Sequence, residues 1–293
     1  MRKDSYKSLI HLHFLIFLWG FTSIFGVLIT LDPILIVWFR LLIAAILIFV
    51  FLFLIYKDSL RLSNSSFFNF FIGGLLISIH WYLFFYSIKI SSISLTLSIL
   101  STASLMTSFL EPIFYKRPFR IHELVFGLIA VVGLVLIFGI QYENYFAILI
   151  SLICTLLSVL FSILNGYLIK NHSSFQISFY EILFGLIITS FIILFSDIQF
   201  PLLISIKFTD WIYIFILGSL CTAYAFVAST YILKFISPYT MMMSLNLEPI
   251  YGIIFSLIIF GEKEYMSIQF YVGAGIIFLG VIGNILYKYK KIS

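Results

Sequence analysis

Ten long hydrophobic stretches occupy almost the whole of this 293-residue chain, and they constrain its fold more than any other feature. A helix needs roughly 20 apolar residues to cross the roughly 30 Å of hydrocarbon in a bilayer. Hydrophobic residues make up 62% of the chain and charged residues 10%, whereas soluble domains average about 45–50% and about 25%. We therefore predict membrane spans at residues 9–30, 33–56, 67–88, 93–115, 122–140, 145–168, 175–196, 209–232, 238–260 and 268–287.

The predicted spans are helical, because lipid offers no partner for free backbone N–H and C=O groups. A transmembrane β-strand alternates apolar and polar residues, and runs such as residues 41–56 do not alternate. The predicted fold class is an all-α integral membrane protein with ten transmembrane helices.

The residues behind the formal charge of +5 lie mostly on one side of the membrane, so this charge does not indicate a nucleic-acid-binding surface. With the N-terminus placed in the cytoplasm, thirteen of the 17 lysines and arginines lie in cytoplasmic segments. Outside segments hold Lys89, Lys207 and Lys263, and Arg40 is left inside a span. Cytoplasmic loops of membrane proteins carry an excess of Lys and Arg, so we predict that both termini are cytoplasmic.

The ten spans divide into two sets of five, and an odd number per half gives the second half inverted topology. The string Y-x-x-K-x-x-S occurs at residues 86–92 and again at 231–237, an offset of 145. We predict one repeat over residues 1–141 and a second over 142–293. Inverted repeats are typical of alternating access around a site near the membrane midplane. The alternative is a gene duplication that carries no transport function.

Several stretches of the sequence are similar to one family of transporters. The segment SLNLEPIYGIIFSLIIFGEK at residues 244–263 resembles the late LEP-to-GE segment of the EamA family, within the drug/metabolite transporter superfamily. VWFRLLIAA, GGLLISIHWYLFFYSIKIS and VFGLIAVVGLVLIFG resemble corresponding stretches, so the likeness covers about residues 8–287. The resemblance implies ten helices in two inverted halves, a central cavity, and export or exchange of small metabolites. With the short loops, it implies a multi-pass protein of a bacterial cytoplasmic (inner) membrane.

The charged residues that lie well inside the predicted spans are Arg40, Glu111, Glu181 and Glu248. A charge at the bilayer centre costs at least about 2.5–3.5 kcal/mol, so each must face a cavity, a partner or the headgroups. Glu248 lies about ten residues into its span, and Pro249 predicts a helix kink whose freed carbonyls can coordinate a cation or an amine. We predict that Glu248 contacts substrate or a proton. The alternative is that it braces the kink, held by Asn246 or a tyrosine.

Arg40 and Glu181 are paired by an offset of 141 between the halves. Each lies about seven residues inside its helix, or roughly 10 Å deep at about 1.5 Å per residue, but from opposite membrane faces. This leaves them roughly 10 Å apart in depth in a core of about 30 Å, so a direct salt bridge is not expected. Both are candidates for substrate or coupling-ion contact, since a guanidinium binds a carboxylate bidentately; helix packing is the alternative. Glu111 is interpreted as an interfacial anchor that pairs with Lys116 and Arg117.

His80 lies near the centre of the third span, among aromatic residues. Histidine changes charge near physiological pH, which suits proton coupling; a hydrogen-bonded packing role is the alternative. Rings with polar tips need a partner or water inside lipid, and buried amides can donate to a ligand. The remaining candidates for a cavity wall are therefore Trp19, Trp81, Tyr86, Asn165, Tyr180, Tyr224, Asn246 and Tyr251.

The leading functional hypothesis is a secondary transporter of small, amphipathic, amino-acid-like solutes, with the proton as a candidate coupling ion. No G-x-x-x-x-G-K-[S/T] pattern occurs, so ATP drive has no support. Cys154 and Cys221 lack the spacing of a metal site, and no cofactor is expected. The expected partners are the solute and the bilayer. The alternatives are an intramembrane enzyme, although no H-E-x-x-H or G-x-S-x-G motif occurs, and a receptor or assembly protein, although no sizeable loop is present.

Overall fold

A computed structural model describes residues 3–56, 64–138, 145–260 and 267–292, and every regular element in these ranges is helical. The helices are α1 (Lys3–Leu28), α2 (Pro33–Phe51), α3 (Asn64–Ile90), α4 (Ile93–Leu100), α5 (Ala103–Tyr115), α6 (Ile121–Phe138), α7 (Tyr145–Leu168), α8 (Ser174–Leu194), α9 (Phe208–Gly218), α10 (Ala225–Ile232), α11 (Pro238–Leu245), α12 (Glu248–Phe260) and α13 (Ile268–Ile292). The basic residues used in the charge argument that lie outside the described residues are Arg2, Lys57, Arg61 and Lys263.

Six helical segments in the described ranges are long and apolar enough to cross a membrane: Tyr6–Leu28, Pro33–Leu54, Ser66–Ile90, Tyr145–Leu168, Ser174–Leu194 and Phe208–Ile232. Shorter apolar helices cover Ile121–Gly133 and Tyr271–Asn284. The other two predicted spans are also helical, but each is divided into two helices. A helical membrane protein is therefore confirmed, whereas the count of ten crossings stays a prediction.

The two divided spans break at equivalent points of the two halves. Helices α4 and α5 are separated at residues 101–102, and helices α11 and α12 at residues 246–247. Adding the repeat offset of 145 to all four bounds of the first pair gives the bounds of the second pair. The continuous helices expected over residues 93–115 and 238–260 are thus wrong in this detail, and the shared break supports the internal repeat.

Different side chains accompany the two breaks. In the second half, Pro249 lies in the first turn of α12. It has no N–H to donate to the carbonyl four residues earlier, and its ring crowds that carbonyl. In the first half, the hydroxyl of Thr102 donates to the carbonyl of Ile99 at 2.7 Å, and the hydroxyl of Thr155 reaches the same carbonyl at 3.4 Å. Hydroxyl groups that bond local carbonyls compete with the helical ladder. The break beside Glu248 lies at residues 246–247, so it includes Asn246 and precedes Pro249.

Helices of the two halves pack closely against each other. Helix α3 contacts both α7 and α8, α1 contacts α12, and α6 contacts α13. Small residues let helix backbones approach in a membrane, and Gly74 of α3 lies directly against the backbone of α8. Large apolar side chains such as Phe53 and Leu194 remain exposed on the outside of the bundle, where lipid surrounds them.

Replacing Gly74 with alanine is expected to destabilise the bundle. The added Cβ would lie 2.6 Å from the backbone oxygen of Glu181 and 2.9 Å from the backbone nitrogen of Gly185, so two helices must move apart. Overpacking of this kind costs about 1–3 kcal/mol. Gly275→Ala is the matched control, because a Cβ at Gly275 meets nothing within 4 Å. Thermal unfolding of both purified variants in detergent checks this; equal melting temperatures would contradict it.

Candidate functional site

A cavity of about 810 Å³, part of it open, lies between the two halves of the chain. Its wall takes residues from α1, α2, α3 and α4 on one side and from α7, α10, α11 and α12 on the other. The sequence-predicted residues that line it are Trp19, Arg40, His80, Trp81, Asn165 and Glu248. Most of its surface is apolar, so the few polar groups stand out as contacts for a ligand.

Arg40 is the cation of this cavity, and its side chain is 1% exposed. The guanidinium carbon lies 3.7 Å from the centre of the Trp81 ring, a cation–π contact. Its Nε donates to the hydroxyl of Thr222 at 2.5 Å, and one terminal amino group reaches the carbonyl of Cys221 at 3.5 Å. The other amino group, Nη1, has no hydrogen-bond partner among the described residues. Arg40 is therefore oriented by three contacts and keeps donors for a bound anion.

The partners of Arg40 come from a π-helical turn, Ser219–Tyr224, which joins α9 to α10. Thr222 donates its hydroxyl to the carbonyl of Leu217 at 2.6 Å, which leaves its lone pairs towards Arg40. The carbonyl of Cys221 also accepts from the indole of Trp19 at 3.1 Å. Single π-helical turns frequently mark functional sites. Sequence reasoning missed this turn, because the stretch SLCTAY carries no proline or glycine that signals it.

Glu248 is the anion of the same cavity. It is half-buried, and its carboxylate makes no hydrogen bond to any side chain or backbone group in the described ranges. Arg40 and Glu248 act on each other electrostatically, yet no ion pair joins them in the part of the chain that the structure describes. The cavity thus holds two opposite charges that are separated from each other.

His80 lines the cavity, and its ring is held by a backbone carbonyl of α7. Its Nδ1 lies 2.9 Å from the carbonyl oxygen of Cys154. A carbonyl only accepts, so Nδ1 carries a proton. The thiol of Cys154 donates back to the carbonyl of His80 at 3.3 Å. His80 is therefore fixed in orientation by α7, with the other ring nitrogen, Nε2, not engaged by this bond.

Three of the predicted tyrosines lie outside the cavity. Tyr86 stacks on Tyr82, with ring centres 5.8 Å apart. Tyr224 lies 2.7 Å from a nitrogen of His11, and the hydroxyl of Tyr251 lies 2.6 Å from a nitrogen of His13. The hydroxyls of Tyr224 and Tyr251 are satisfied by histidines of α1, and none of the three tyrosines lines the cavity.

Three further candidates are buried close to the cavity without lining it. Tyr180 stacks on Phe70, with ring centres 5.6 Å apart. Asn246, in the break before α12, donates to the hydroxyl of Ser104 at 3.0 Å and so ties the second break to the first half. Glu181 is fully buried and accepts from Asn165 at 3.2 Å. No ion pair joins Glu181 to Arg40 within the described ranges, as the depth argument predicts.

A polar stripe on α7 was missed by sequence reasoning. Ser158 and Ser162 line the cavity together with Asn165, and the hydroxyl of Ser162 has no partner among the described residues. Spacings of three and four residues place side chains on one face of a helix. The stripe was therefore readable as the only polar face of an otherwise apolar helix.

The two ends of the bundle differ around this cavity. Its lining extends to Leu233 and Met241, where α10 ends and α11 begins. At the opposite end, Lys89 donates to the carbonyl of Ile29 at 2.7 Å, and Thr30 donates to the carboxylate of Asp210 at 2.7 Å. These bonds tie α1, α3 and α9 together at that end.

Glu111 lies away from the cavity, in a buried network that joins the halves. Its carboxylate accepts from Arg117 at 3.0 Å and from the backbone N–H of Tyr239 at 2.7 Å, near the start of α11. Arg117 also pairs with Glu123 at 2.6 Å, and the hydroxyl of Tyr239 donates to the carbonyl of Glu123 at 3.0 Å. Glu111 thus pairs with Arg117 and, in addition, caps a helix of the other half.

One solved crystal structure, described only as that of a protein, shares the fold of this chain. The two superpose with a TM-score of 0.74 at 15% sequence identity, over 94% of this chain and 96% of that chain. No curated protein matches the sequence.

The model of the EamA-like transporter family matches the chain twice, over residues 8–139 and 145–286. The two matches cover nearly the whole sequence, one in each half. The resemblance seen in the LEP-to-GE segment is thereby confirmed. With its apolar spans, the chain is a multi-pass membrane protein that belongs to the EamA-like transporter family, within the drug/metabolite transporter superfamily.

Proposed function

We propose that this transporter moves small zwitterionic solutes of the amino-acid class through the cavity between its halves. The observation that carries the proposal is that Arg40 and Glu248 line one cavity as separate, unpaired opposite charges. A buried charge without a partner is costly in a membrane. A solute with a carboxylate and an ammonium group neutralises both at once.

The surroundings of the two charges fit the rest of such a solute. Arg40 offers its free Nη1 to the carboxylate, and Glu248 offers its carboxylate to the ammonium group. Rings of Trp19, Phe161 and Phe226 face the same space. An apolar wall of this kind accepts an apolar or aromatic side chain.

Transport follows the alternating-access scheme of inverted repeats. With the termini in the cytoplasm, as the positive-inside rule indicates, the end at Leu233 and Met241 is the cytoplasmic end. The end fastened by Lys89 and Asp210 then faces outward. Solute enters from the cytoplasm, and rearrangement of the two halves releases it outside, which makes the protein an exporter or exchanger of a bacterial inner membrane.

Replacing Arg40 with glutamine is expected to weaken binding of the solute by about 10- to 100-fold. A hydrogen bond to a charged group contributes about 1.5–3 kcal/mol, and tenfold corresponds to about 1.4 kcal/mol. The measurement is a thermal-shift screen of purified protein against amino acids, nucleosides, vitamins and organic cations, since a bound ligand raises the melting temperature. The expected hit is an amino acid whose shift disappears in Arg40→Gln.

Lys207→Gln is the matched control, because Lys207 is exposed and far from the cavity wall. It should keep the wild-type shift. A hit from organic cations alone, or an amino-acid shift that Arg40→Gln retains in full, would contradict the assignment of Arg40 to the solute carboxylate.

A further inference from the structure

Glu181 of α8 is a carboxyl group for which the cavity chemistry gives no role. Its side chain is 0% exposed, and one oxygen, Oε1, has no hydrogen-bond partner among the described residues. Gly73 of α3 faces this carboxyl group and leaves it the room that any larger residue would fill. The glycine and the acid therefore form a fitted slot inside the membrane region.

Asn165 of α7 joins this slot to the cavity. Its Nδ2 donates to Oε2 of Glu181 at 3.2 Å, and Asn165 itself lines the cavity. The remaining amide oxygen, Oδ1, is buried and without a partner in the described part of the chain. Glu181 and Asn165 thus each have one polar atom in a hydrogen bond and one oxygen without a hydrogen-bond partner among the described residues.

Helices α2, α3 and α10 pack against α8, and their charged and titratable groups point to other contacts or to the surface. On α2 the charged residue is Arg40, which contacts Thr222 and Trp81. On α3, His80 is bonded to Cys154 and Lys89 to Ile29 at the far end. Helix α10 carries Tyr231, which is exposed, and α8 itself carries Tyr180, stacked on Phe70. No cation in the described ranges forms an ion pair with Glu181.

An ionised carboxylate buried without a cation is strongly disfavoured, and such a group takes up a proton instead. A proton on Oε1 turns that oxygen into a donor, and the acceptor that Asn165 can turn towards it is its own unpartnered Oδ1. A carboxylic acid and a primary amide can then form two parallel hydrogen bonds, which satisfy both orphaned oxygens. Loss of the proton removes the donor from Oε1, so only the bond from Nδ2 to Oε2 remains and Oδ1 of Asn165 is free.

We propose that Glu181 is the proton-binding site of this transporter and that Asn165 reports its protonation state to the cavity. Loss of the proton breaks the O–H bond of Glu181, releases the proton to water in the cavity and frees Oδ1 of Asn165 to accept from the solute. The protonated pair holds α7 against α8, so proton binding and the arrangement of the cavity wall are linked. The coupling part of this inference rests on the proposed transport function, whereas proton binding by Glu181 does not.

The decisive experiment is infrared spectroscopy of the full-length protein in lipid nanodiscs, titrated with base and with no solute added. The expected result is a protonated-carboxyl band at neutral pH that is lost at alkaline pH and is missing from Glu181→Gln. The same band should persist in Glu248→Gln and shift in frequency in Asn165→Ala, where the hydrogen bond is gone. A wild-type spectrum identical to that of Glu181→Gln in this region would overturn the proposal. If Glu181→Gln fails to fold, an unshifted band in Asn165→Ala overturns it instead.

Proteoliposomes with a pH dye inside and an equimolar mixture of the twenty protein amino acids outside test the coupling. Wild-type protein should move protons together with amino acids, and Glu181→Gln should move amino acids with loss of the proton signal. A proton signal that persists in Glu181→Gln overturns the proposal. Absence of amino-acid movement in the wild type counts against the proposed solute class, and the infrared band still decides whether Glu181 binds the proton.

Discussion

Glu248→Gln is expected to abolish transport of a zwitterionic solute while leaving the protein as stable as the wild type. The substitution keeps the shape of the side chain, and Glu248 makes no hydrogen bond in the described ranges that could be lost. What disappears is the charge that pairs with the ammonium group of the solute. Removing one partner of a buried charge pair costs about 2–5 kcal/mol, or at least about 30-fold in affinity.

Transport of the amino acid identified by the thermal-shift screen, measured as counterflow in proteoliposomes, checks this expectation. The melting temperature of the same preparation shows whether the variant is folded. Glu248→Asp keeps the negative charge and should retain part of the activity. Wild-type counterflow in Glu248→Gln would remove this residue from the mechanism.

Glu111→Ala is expected to have the opposite outcome, a large loss of stability. The carboxylate of Glu111 accepts from Arg117 and caps the start of α11 through the N–H of Tyr239. Glu111 is buried, and its removal leaves the backbone N–H of Tyr239 without an acceptor, which costs about 1–3 kcal/mol. Arg117 loses one of its two carboxylate partners and keeps Glu123. The first half then loses one of its polar bonds to the second half.

Thermal unfolding in detergent measures this loss directly. Tyr239→Phe is the graded control, because it removes the bond from the hydroxyl to Glu123 and keeps the backbone N–H. It should cost about 1 kcal/mol, in line with one hydrogen bond. Comparable melting temperatures for Glu111→Ala and Glu248→Gln would contradict the assignment of Glu111 to stability and of Glu248 to the solute.

The positions of the candidate residues in the structure show how much the pattern of intramembrane polar residues can predict. Arg40, His80, Asn165 and Glu248 were selected because polar groups inside lipid need a partner, and the structure places all four on one cavity. Tyr224 and Tyr251 were candidates for the same reason, but their hydroxyls form hydrogen bonds with histidines of α1. A polar side chain inside a membrane indicates that it has a partner, but its sequence position does not indicate which helix provides that partner.

The helical membrane fold and its internal repeat were set by the sequence alone. Long apolar runs must be helical in lipid, because each backbone group has to be satisfied within its own segment. The repeat offset of 145 relates the breaks at residues 101–102 and 246–247 to each other. It does not predict that these spans break.

Only the tertiary structure decided which polar groups meet. Helix α8 is apolar around nearly its whole circumference, so its sequence has no amphipathic face from which the direction of Glu181 could be read. Packing against Gly73 and Asn165 fixed that direction. The separation of Arg40 from Glu248, and the π-helical turn that holds Arg40, likewise depend on contacts between distant segments, which local propensity does not encode.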